Sequence, residues 1–419
     1  MPNVAVHLER MLAAPMVEAL RAAGQLASDP TAHAHEVYLA GGPVRDILLG
    51  QRPKDLDLSV VGDGEEFARV LAAKMGGQLV QTSEFGTACV LLSSGPVDIA
   101  TARFETYSEP GALPHVTPAG IREDLARRDF SVNAMAVAVW PAKWGELIDP
   151  YGGASDTLRR RLRVLHDRSF QDDPTRIIRG LRYEARLGFK FDPRTLDLLG
   201  RDKHYLESVS AARVRAELQK ALAEPTRAQA LRTADSQSVL TAIHPSLRVS
   251  SKALEVMEKQ TKEGDRLLYD LALLTSTLTD TEAAALVTRL DPPKEWREII
   301  LAGPRYRAFA TLLERKDLSA SEVVSLLGPF PVPVLEAQRD VAPPALQRER
   351  LDSYLTRLQH VRPECTGDDL LRAGVPQGPV VGRLLAELRT ARLDGRVSTR
   401  EEELALVKRR LPMLLRPQG

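Results

Sequence analysis

Strand-type patterning is confined to one stretch of this chain, and that restriction limits its possible folds more than any other feature. Between Val37 and Val139 the runs VYLAG, LDLSVVG, QLVQT, TACVLLSS, VDIATARF and AMAVAVW read as short strands. EEFARVLAAKM reads as an amphipathic helix among them. Beyond about Leu158 strand signals nearly vanish. TRIIRGLRYEARLGF, RTLDLLG, AARVRAELQKALA, SKALEVMEKQ and DRLLYDLALLTS all repeat at helical spacing. The expected fold class is α+β, a mixed-sheet head followed by a long all-α remainder. Residues 1–30 read as a helical lead-in, and proline clusters near 292–293, 329–333 and 343–344 mark loops between helical groups. The divisions expected are 1–35, 36–158, 159–225, 226–345 and 346–419.

Composition excludes several classes. Lys and Arg total 57 against 56 Asp and Glu, so net charge is +1 and any polyanion partner must be met by local clusters. The two cysteines, Cys89 and Cys365, are far apart in sequence with no metal-like spacing, which argues against a disulfide scaffold or a zinc site. The N-terminal residues show no basic region followed by an apolar block, and no run of 18 apolar residues occurs. The expectation is a cytoplasmic protein with no membrane partner.

Within KDLDLSVVG, Asp55 and Asp57 are two residues apart, so on a strand both point to one face while Leu56 and Leu58 turn into the core. Adjacent carboxylates repel and raise one another's pKa unless a cation joins them. Mg²⁺ does so, using one or two carboxylates together with substrate phosphates. Upstream, GGPVRDILLG offers Gly41 and Gly42, whose backbone can approach an anion, and Arg45, expected near the positive end of the following helix. The combination suggests a site for a metal–nucleoside triphosphate. Asp98, in GPVDIATARF, is a third acidic candidate on a strand that could pair beside the first; it reads equally well as a solvent-facing residue.

From Arg159 to Arg186 there are nine arginines against four acidic residues. On a helix Arg176, Arg179, Arg182 and Arg186 fall within an arc of about 120°, while Ile177, Ile178, Leu181, Tyr183 and Leu187 supply an apolar side.

These segments, in this order, resemble the class II tRNA nucleotidyltransferases and bacterial poly(A) polymerases of the polymerase-β-like superfamily. GGPVRDILLG with DLDLSVVG is similar to the family's first signature, and EDLARRDFSVNAMAV to its RRDFTINA segment. LIDPYGGASDTLRRRLRVL resembles DPxxGxxDL, and DDPTRIIRGLRYEARLGF resembles EDPxRxxRxxRF. AARVRAELQKAL resembles a further helical motif, so the likeness covers roughly residues 36–225. It implies a polymerase-β-like catalytic head (36–158), a base-reading neck (159–225), a helical body (226–345) and a tRNA-binding tail (346–419). It also implies transfer of nucleotides from ATP or CTP to a tRNA 3′ end without a template, with Mg²⁺ on Asp55 and Asp57.

Carried over residue by residue, the resemblance puts Arg128 and Asp129 on nucleotide phosphate and ribose, and Arg179 and Arg182 on phosphates. Asp173 and Arg176 would read the base. A carboxylate accepts from the exocyclic amine of C or A and a guanidinium donates to the neighbouring ring acceptor, whereas U and G present a carbonyl instead. Asp172 departs from the family's Glu. The tail RPECTGDDLLRAGVPQGPVVGRLLAELRTARLDGRVSTREEELALVKRRL is also similar to the family's C-terminal region, with GVPQGP as a turn between helices and Thr366 as a helix start. At the place where some relatives carry a His-Asp phosphohydrolase motif, this chain has LLYDLALLTSTL, so no second activity is expected. Whole CCA addition and addition of only the terminal A both stay open, the wording of YSEPGALPHV leaning away from a CC-only enzyme. A poly(A) polymerase and an inactive RNA-binding homologue are the alternatives, and DNA is not expected as a partner.

Overall fold

The computed structural model describes residues 3–27, 29–83, 86–260, 266–341 and 343–414. The chain forms two compact units, Met1–Pro245 and Ser246–Gly419.

The first unit is built on a seven-stranded mixed sheet. Its strands are β1 (Ala34–Ala40), β2 (Leu56–Gly62), β3 (Gln78–Ser83), β4 (Thr87–Leu92), β5 (Gly95–Thr101), and later β8 (Ala136–Ala138) and β9 (Leu147–Ile148). Their order is β3-β4-β5-β2-β1-β8-β9. All pairings are antiparallel except β2 with β5, which run parallel and place Asp57 opposite Asp98 and Leu58 opposite Ile99. Alternation along the strands sorts side chains to two faces. Val37, Leu39, Leu56, Leu58, Val90 and Ile99 face one core, and Tyr38, Ala40, Ala136 and Ala138 the other.

The N-terminal segment differs from the single lead-in helix expected. Leu12 turns extended, and Pro15 sits in the first turn of a second helix, where its fixed φ suits a helix start. Two helices result, α1 (Ala5–Met11) and α2 (Ala14–Leu26), and Leu8, Leu20 and Ala23 bury into the first core. That core also takes Val44 and Ile47 of α3 (Gly42–Leu48), and Phe67 and Leu71 of α4 (Gly64–Met75). Asp63 caps α4 by accepting from the N–H groups of Glu65 and Glu66. On the other face lies α5 (Ile121–Ala126), whose Ile121 and Leu125 are buried.

The run VDIATARF does not stay in the sheet. It leaves at Ala102, and β6 (Arg103–Thr106) pairs instead with β7 (His115–Pro118) as a separate hairpin. Strand structure also persists past Leu158, contrary to expectation. After α6 (Gly153–Leu158), β10 (Arg161–Leu162) pairs in parallel with β11 (Lys190–Phe191). Two-residue strands carry too little alternation to be read from a sequence.

Between β10 and β11 run α7 (Ser169–Asp172) and α8 (Thr175–Leu187), which Gly188 ends in the left-handed conformation. Gly180 lets α8 approach the aromatic cluster of Phe130, Phe170, Tyr183 and Phe191, since a Cβ there would sit 2.7 Å from the Phe130 ring. Helices α9 (Pro193–Asp202) and α10 (Ala211–Ala223) come next.

The second unit is all-α among its described residues, with helices from Ser251–Lys259 to Arg400–Leu414. Thr366 starts a helix through a reciprocal capping box with Asp369, as expected. GVPQGP connects Gly367–Arg372 to Pro379–Leu393, with Gly374 and Gly378 at positive φ. Leu370, Val375, Leu384, Leu388 and Val407 form the core there. Among the described residues no helix is long and apolar enough to cross a membrane.

Candidate active site

A cavity of about 1070 Å³ opens in the first unit, large enough for a nucleotide, and most of the expected residues meet on its wall. Gly41, Gly42, Arg45, Asp55, Asp57, Arg128, Asp129, Asp173, Arg176 and Arg179 all line it. Arg182 does not, and Asp98 lines a smaller adjoining cavity of about 360 Å³ that shares Asp57 and Arg128 with the large one.

Asp57 lies half-buried on β2, and Asp55, exposed, lies one residue before the strand begins. Burial, then the charges of Asp55 and Asp98, push the Asp57 carboxyl up to about 6 despite Arg128 and Arg45 nearby. The acids are thus short of positive charge. Across the sheet Cys89 stands opposite Asp98, and burial with a hydrogen bond to that carboxylate pushes its thiol up to about 11. The paired acids offer hard carboxylate oxygens, and among the described residues no three His, Cys, Asp or Glu side chains form a ready-made ion cage. Two carboxylates completed by substrate phosphates is the pattern that suits Mg²⁺, so these residues fit that ion.

The glycine turn is more constrained than expected. Gly41 has φ +77°, and a Cβ on it would lie 2.5 Å from Arg128 Nη1. Its N–H donates to the Met135 carbonyl, which leaves Gly42, first in α3, as the glycine whose N–H has no intrahelical acceptor. Arg45 is not at the start of α3 but in its last turn, and it is buried. Its guanidinium donates to Asp46 and, at 2.5 Å, to Asn133 Oδ1.

Asn133 and Asp124 organise this side of the site, and neither was singled out from the sequence. Asn133 joins Arg45 to Asp129 by donating Nδ2–H to Asp129 Oδ1 at 2.9 Å. Asp124, on α5 and almost fully buried, accepts from Arg127, Arg128 and Ser59. Burial acts against its charge, but Arg128 and Arg127 hold its carboxyl below the usual range. Both residues lie inside EDLARRDFSVNAMAV, so position in that segment was the available signal.

The arginine helix is almost completely paired. Arg179 directs Nε and Nη2 onto Asp129 Oδ2 at 2.9 and 2.6 Å, and Nη2 also donates to the Tyr183 hydroxyl at 3.0 Å. Burial would raise the Asp129 pKa, but Arg179 and the hydrogen bond from Asn133 hold it at about 2. Asp129 Oδ1 accepts from Phe130 N–H and Asn133, so its four acceptor positions are filled. Asp129 thus holds Arg179 and Asn133 in place while lining the cavity. Arg182 and Arg186 pair with Glu224, just beyond α10. The guanidinium carbons of Arg45, Arg179, Arg182 and Arg186 lie 5.9, 5.7, 5.2 and 5.3 Å from the centre of the buried Tyr183 ring. Helical spacing from Arg179 to Tyr183 was the signal for this hub.

At the start of α8, Asp173 Oδ1 accepts from Thr175 N–H, the Thr175 hydroxyl and Arg213 Nη2, the last at 2.7 Å. Arg176 is buried and donates to Ser169 Oγ at 2.7 Å and to the Arg127 carbonyl at 2.6 Å. Asp172 turns away towards His166 and Arg168, at 3.8 and 4.0 Å.

Comparison with known proteins agrees with this geometry. Residues 37–163 match the family model described as the poly A polymerase head domain. Residues 188–250 match the one described as the probable RNA and SrmB-binding site of polymerase A. The chain is 33% identical to the A-adding tRNA nucleotidyltransferase of Geobacter sulfurreducens, over 96% of this chain but only 48% of that protein, so it spans about half of that relative. It is 34% identical to the CC-adding tRNA nucleotidyltransferase of Deinococcus radiodurans, over 88% of this chain and 87% of that one. The Thermotoga maritima CCA-adding enzyme, solved in complex with tRNA, matches with a TM-score of 0.75 and 29% identity, covering 98% of this chain and 99% of that one.

Proposed function

Since the chain belongs to the family of tRNA nucleotidyltransferases and poly(A) polymerases, we propose that it adds nucleotides to the 3′ end of a tRNA. ATP, CTP or both are the donors, and pyrophosphate leaves. The observation that carries this reading is that one cavity holds Asp55 and Asp57 together with Asp173 and Arg176. Transfer chemistry and base choice then act on a single bound nucleotide.

In this reading Asp55 and Asp57 hold Mg²⁺, with Asp98 close enough to Asp57 to raise its pKa and so to share the ion's field. When bound, the ion supplies a Lewis acid for the triphosphate and for the attacking 3′-oxygen. The Gly42 N–H and Arg128 face the phosphates, and Arg45 is held ready by Asp46 and Asn133. Arg179 reaches the nucleotide only from its bond with Asp129, and Arg182 acts through Tyr183 and Glu224 rather than by touching phosphate. Asp173 accepts from the exocyclic amine of A or C, and Arg176 donates to the adjoining ring acceptor. Residues 36–158 serve as the catalytic head, 159–225 as the neck, 226–345 as the body and 346–419 as the tail that meets tRNA phosphates. The tRNA substrate goes with a cytoplasmic location.

The test is incubation with tRNAs ending before CCA, after C and after CC, each with labelled CTP or ATP. Labelling of only the CC-ended tRNA by ATP identifies A addition, and labelling from the shortest tRNA through to A identifies full CCA synthesis. Open-ended ATP tailing of any RNA would indicate a poly(A) polymerase. No incorporation on any tRNA would leave an inactive RNA-binding homologue.

A further inference from the structure

We infer that Arg213 is a positioning residue for nucleotide selection, because it fixes the plane of the Asp173 carboxylate and so where its open oxygen meets the incoming base. The inference rests on the reading of Asp173 as the base-reading carboxylate. The two oxygens of a carboxylate are equivalent, so a half-turn about its last torsion changes nothing. What its donors fix is the tilt of the plane, and the cost of tilting it is set by the bonds it must give up. Here three donors converge on Oδ1: the Thr175 N–H at 3.0 Å, the Thr175 hydroxyl at 2.6 Å and Arg213 Nη2 at 2.7 Å. Among the described residues Oδ2 accepts no hydrogen bond, and Asp173 and Arg213 both line the large cavity. The Arg213 bond is the one of the three that joins two opposite charges. It leaves Oδ2 as the acceptor for an exocyclic amine and keeps an acceptor opposite the carbonyl that G or U would present.

Arg213 is itself held from a second side. Its Nη1 donates to the Gly111 carbonyl at 2.9 Å, within the YSEPGALPHV segment. That segment is tied twice more, by Gly111 N–H to the Gln171 carbonyl and by the Ser208 hydroxyl to the Pro110 carbonyl. Two nitrogens of one guanidinium therefore join the segment to the base-reading carboxylate. Lys, with a single point charge, can serve one of these acceptors but not both in the same geometry.

The test compares kcat/KM for ATP, CTP, GTP and UTP on the tRNA end that the protein extends fastest. Arg213→Gln is expected to lower the preference for the correct nucleotide over GTP and UTP by about tenfold, as loss of one charge-assisted bond implies, and Arg213→Lys to recover part of it. Gly111→Ala, strained at φ +78° with its Cβ 3.0 Å from Ser208 Oγ, should displace the carbonyl and lower the same ratio by a smaller factor. If Arg213→Gln slows all four nucleotides equally and leaves the ratio intact, its role is only structural and the inference fails. An unchanged ratio in Gly111→Ala would remove the tie to the segment. Asp173→Asn separates the two readings. If that variant keeps its discrimination, the base-reading role of Asp173 is wrong; if it loses discrimination while Arg213→Gln does not, only the inference about Arg213 fails.

Discussion

The acidic and basic sides of the site solve opposite electrostatic problems. On the sheet, Asp55, Asp57 and Asp98 lie close to one another with too little positive charge, and the Asp57 carboxyl is pushed up to about 6. On α8, Arg179, Arg182 and Arg186 each have an acid within the fold, in Asp129, Glu217 or Glu224. On the proposed reading, a cation and substrate phosphate supply the charge that the acidic side lacks. The basic side is paired within the fold, so on the proposed reading its arginines serve a substrate by orientation more than by spare charge. Motif likeness treats both as binding residues, and only partner geometry separates them.

Substitutions can break this contrast from either side, beginning with the acids. Asp57→Asn should lower nucleotide incorporation by about a thousandfold, the scale of losing a principal electrostatic stabiliser. The same change should raise the melting temperature of the metal-free protein at pH 7, because it removes a disfavoured charge. Loss of activity together with loss of stability would place Asp57 among structural residues instead.

On the basic wall the signs reverse. Asp129→Ala leaves the half-buried Arg179 with its main partner gone and only Glu217 nearby, and should cost about 1.5–3 kcal/mol of stability by denaturant unfolding. Tyr183→Leu removes the ring that four arginines share. It should lower incorporation through a raised KM for nucleotide, whereas Tyr183→Phe loses one hydrogen bond and about 1 kcal/mol. If Leu and Phe behave alike, the ring is not what orders the guanidinium groups.

The smallest effect is one of pH. A carboxyl whose folded pKa exceeds its unfolded value of 3.8 favours folding while protonated. The metal-free protein should therefore lose stability as pH rises from about 4 through about 6, and Asp57→Asn should flatten that slope. Divalent-ion affinity, measured by calorimetry, should fall as pH drops below about 6, where a proton competes for Asp57.

The acidic wall was legible in the sequence because its logic is local: period-two alternation puts Asp57 on the face opposite Leu56 and Leu58, and the structure keeps it there. Even the pairing of Asp98 beside it could be anticipated from a neighbouring strand pattern. The α+β division was equally open, since long helical periodicities persist over many residues. The basic wall was not legible to the same degree. The arc of arginines on α8 could be drawn, but their partners come from residues 35 to 50 positions away, such as Asp129, Glu217 and Glu224. Asn133 and Arg213 owe their importance to two contacts each, and no spacing announces a contact between elements. The break at Ala102 was hidden because RFET continues the strand composition of VDIAT while changing its partner.

The parallel pairing of β2 with β5 also bears on how the chain acquires its chemistry. Asp57 and Asp98 become neighbours only after the intervening helix and hairpin have folded and the two strands have met in register. Joining strands so far apart in sequence costs loop entropy before any contact repays it, so such pairings form late. A growing polypeptide that has not yet released residue 101 would carry the DLD motif without its paired strand. The rise of the Asp57 pKa, and the ion affinity that goes with it, would thus mark the moment the head of the molecule closes.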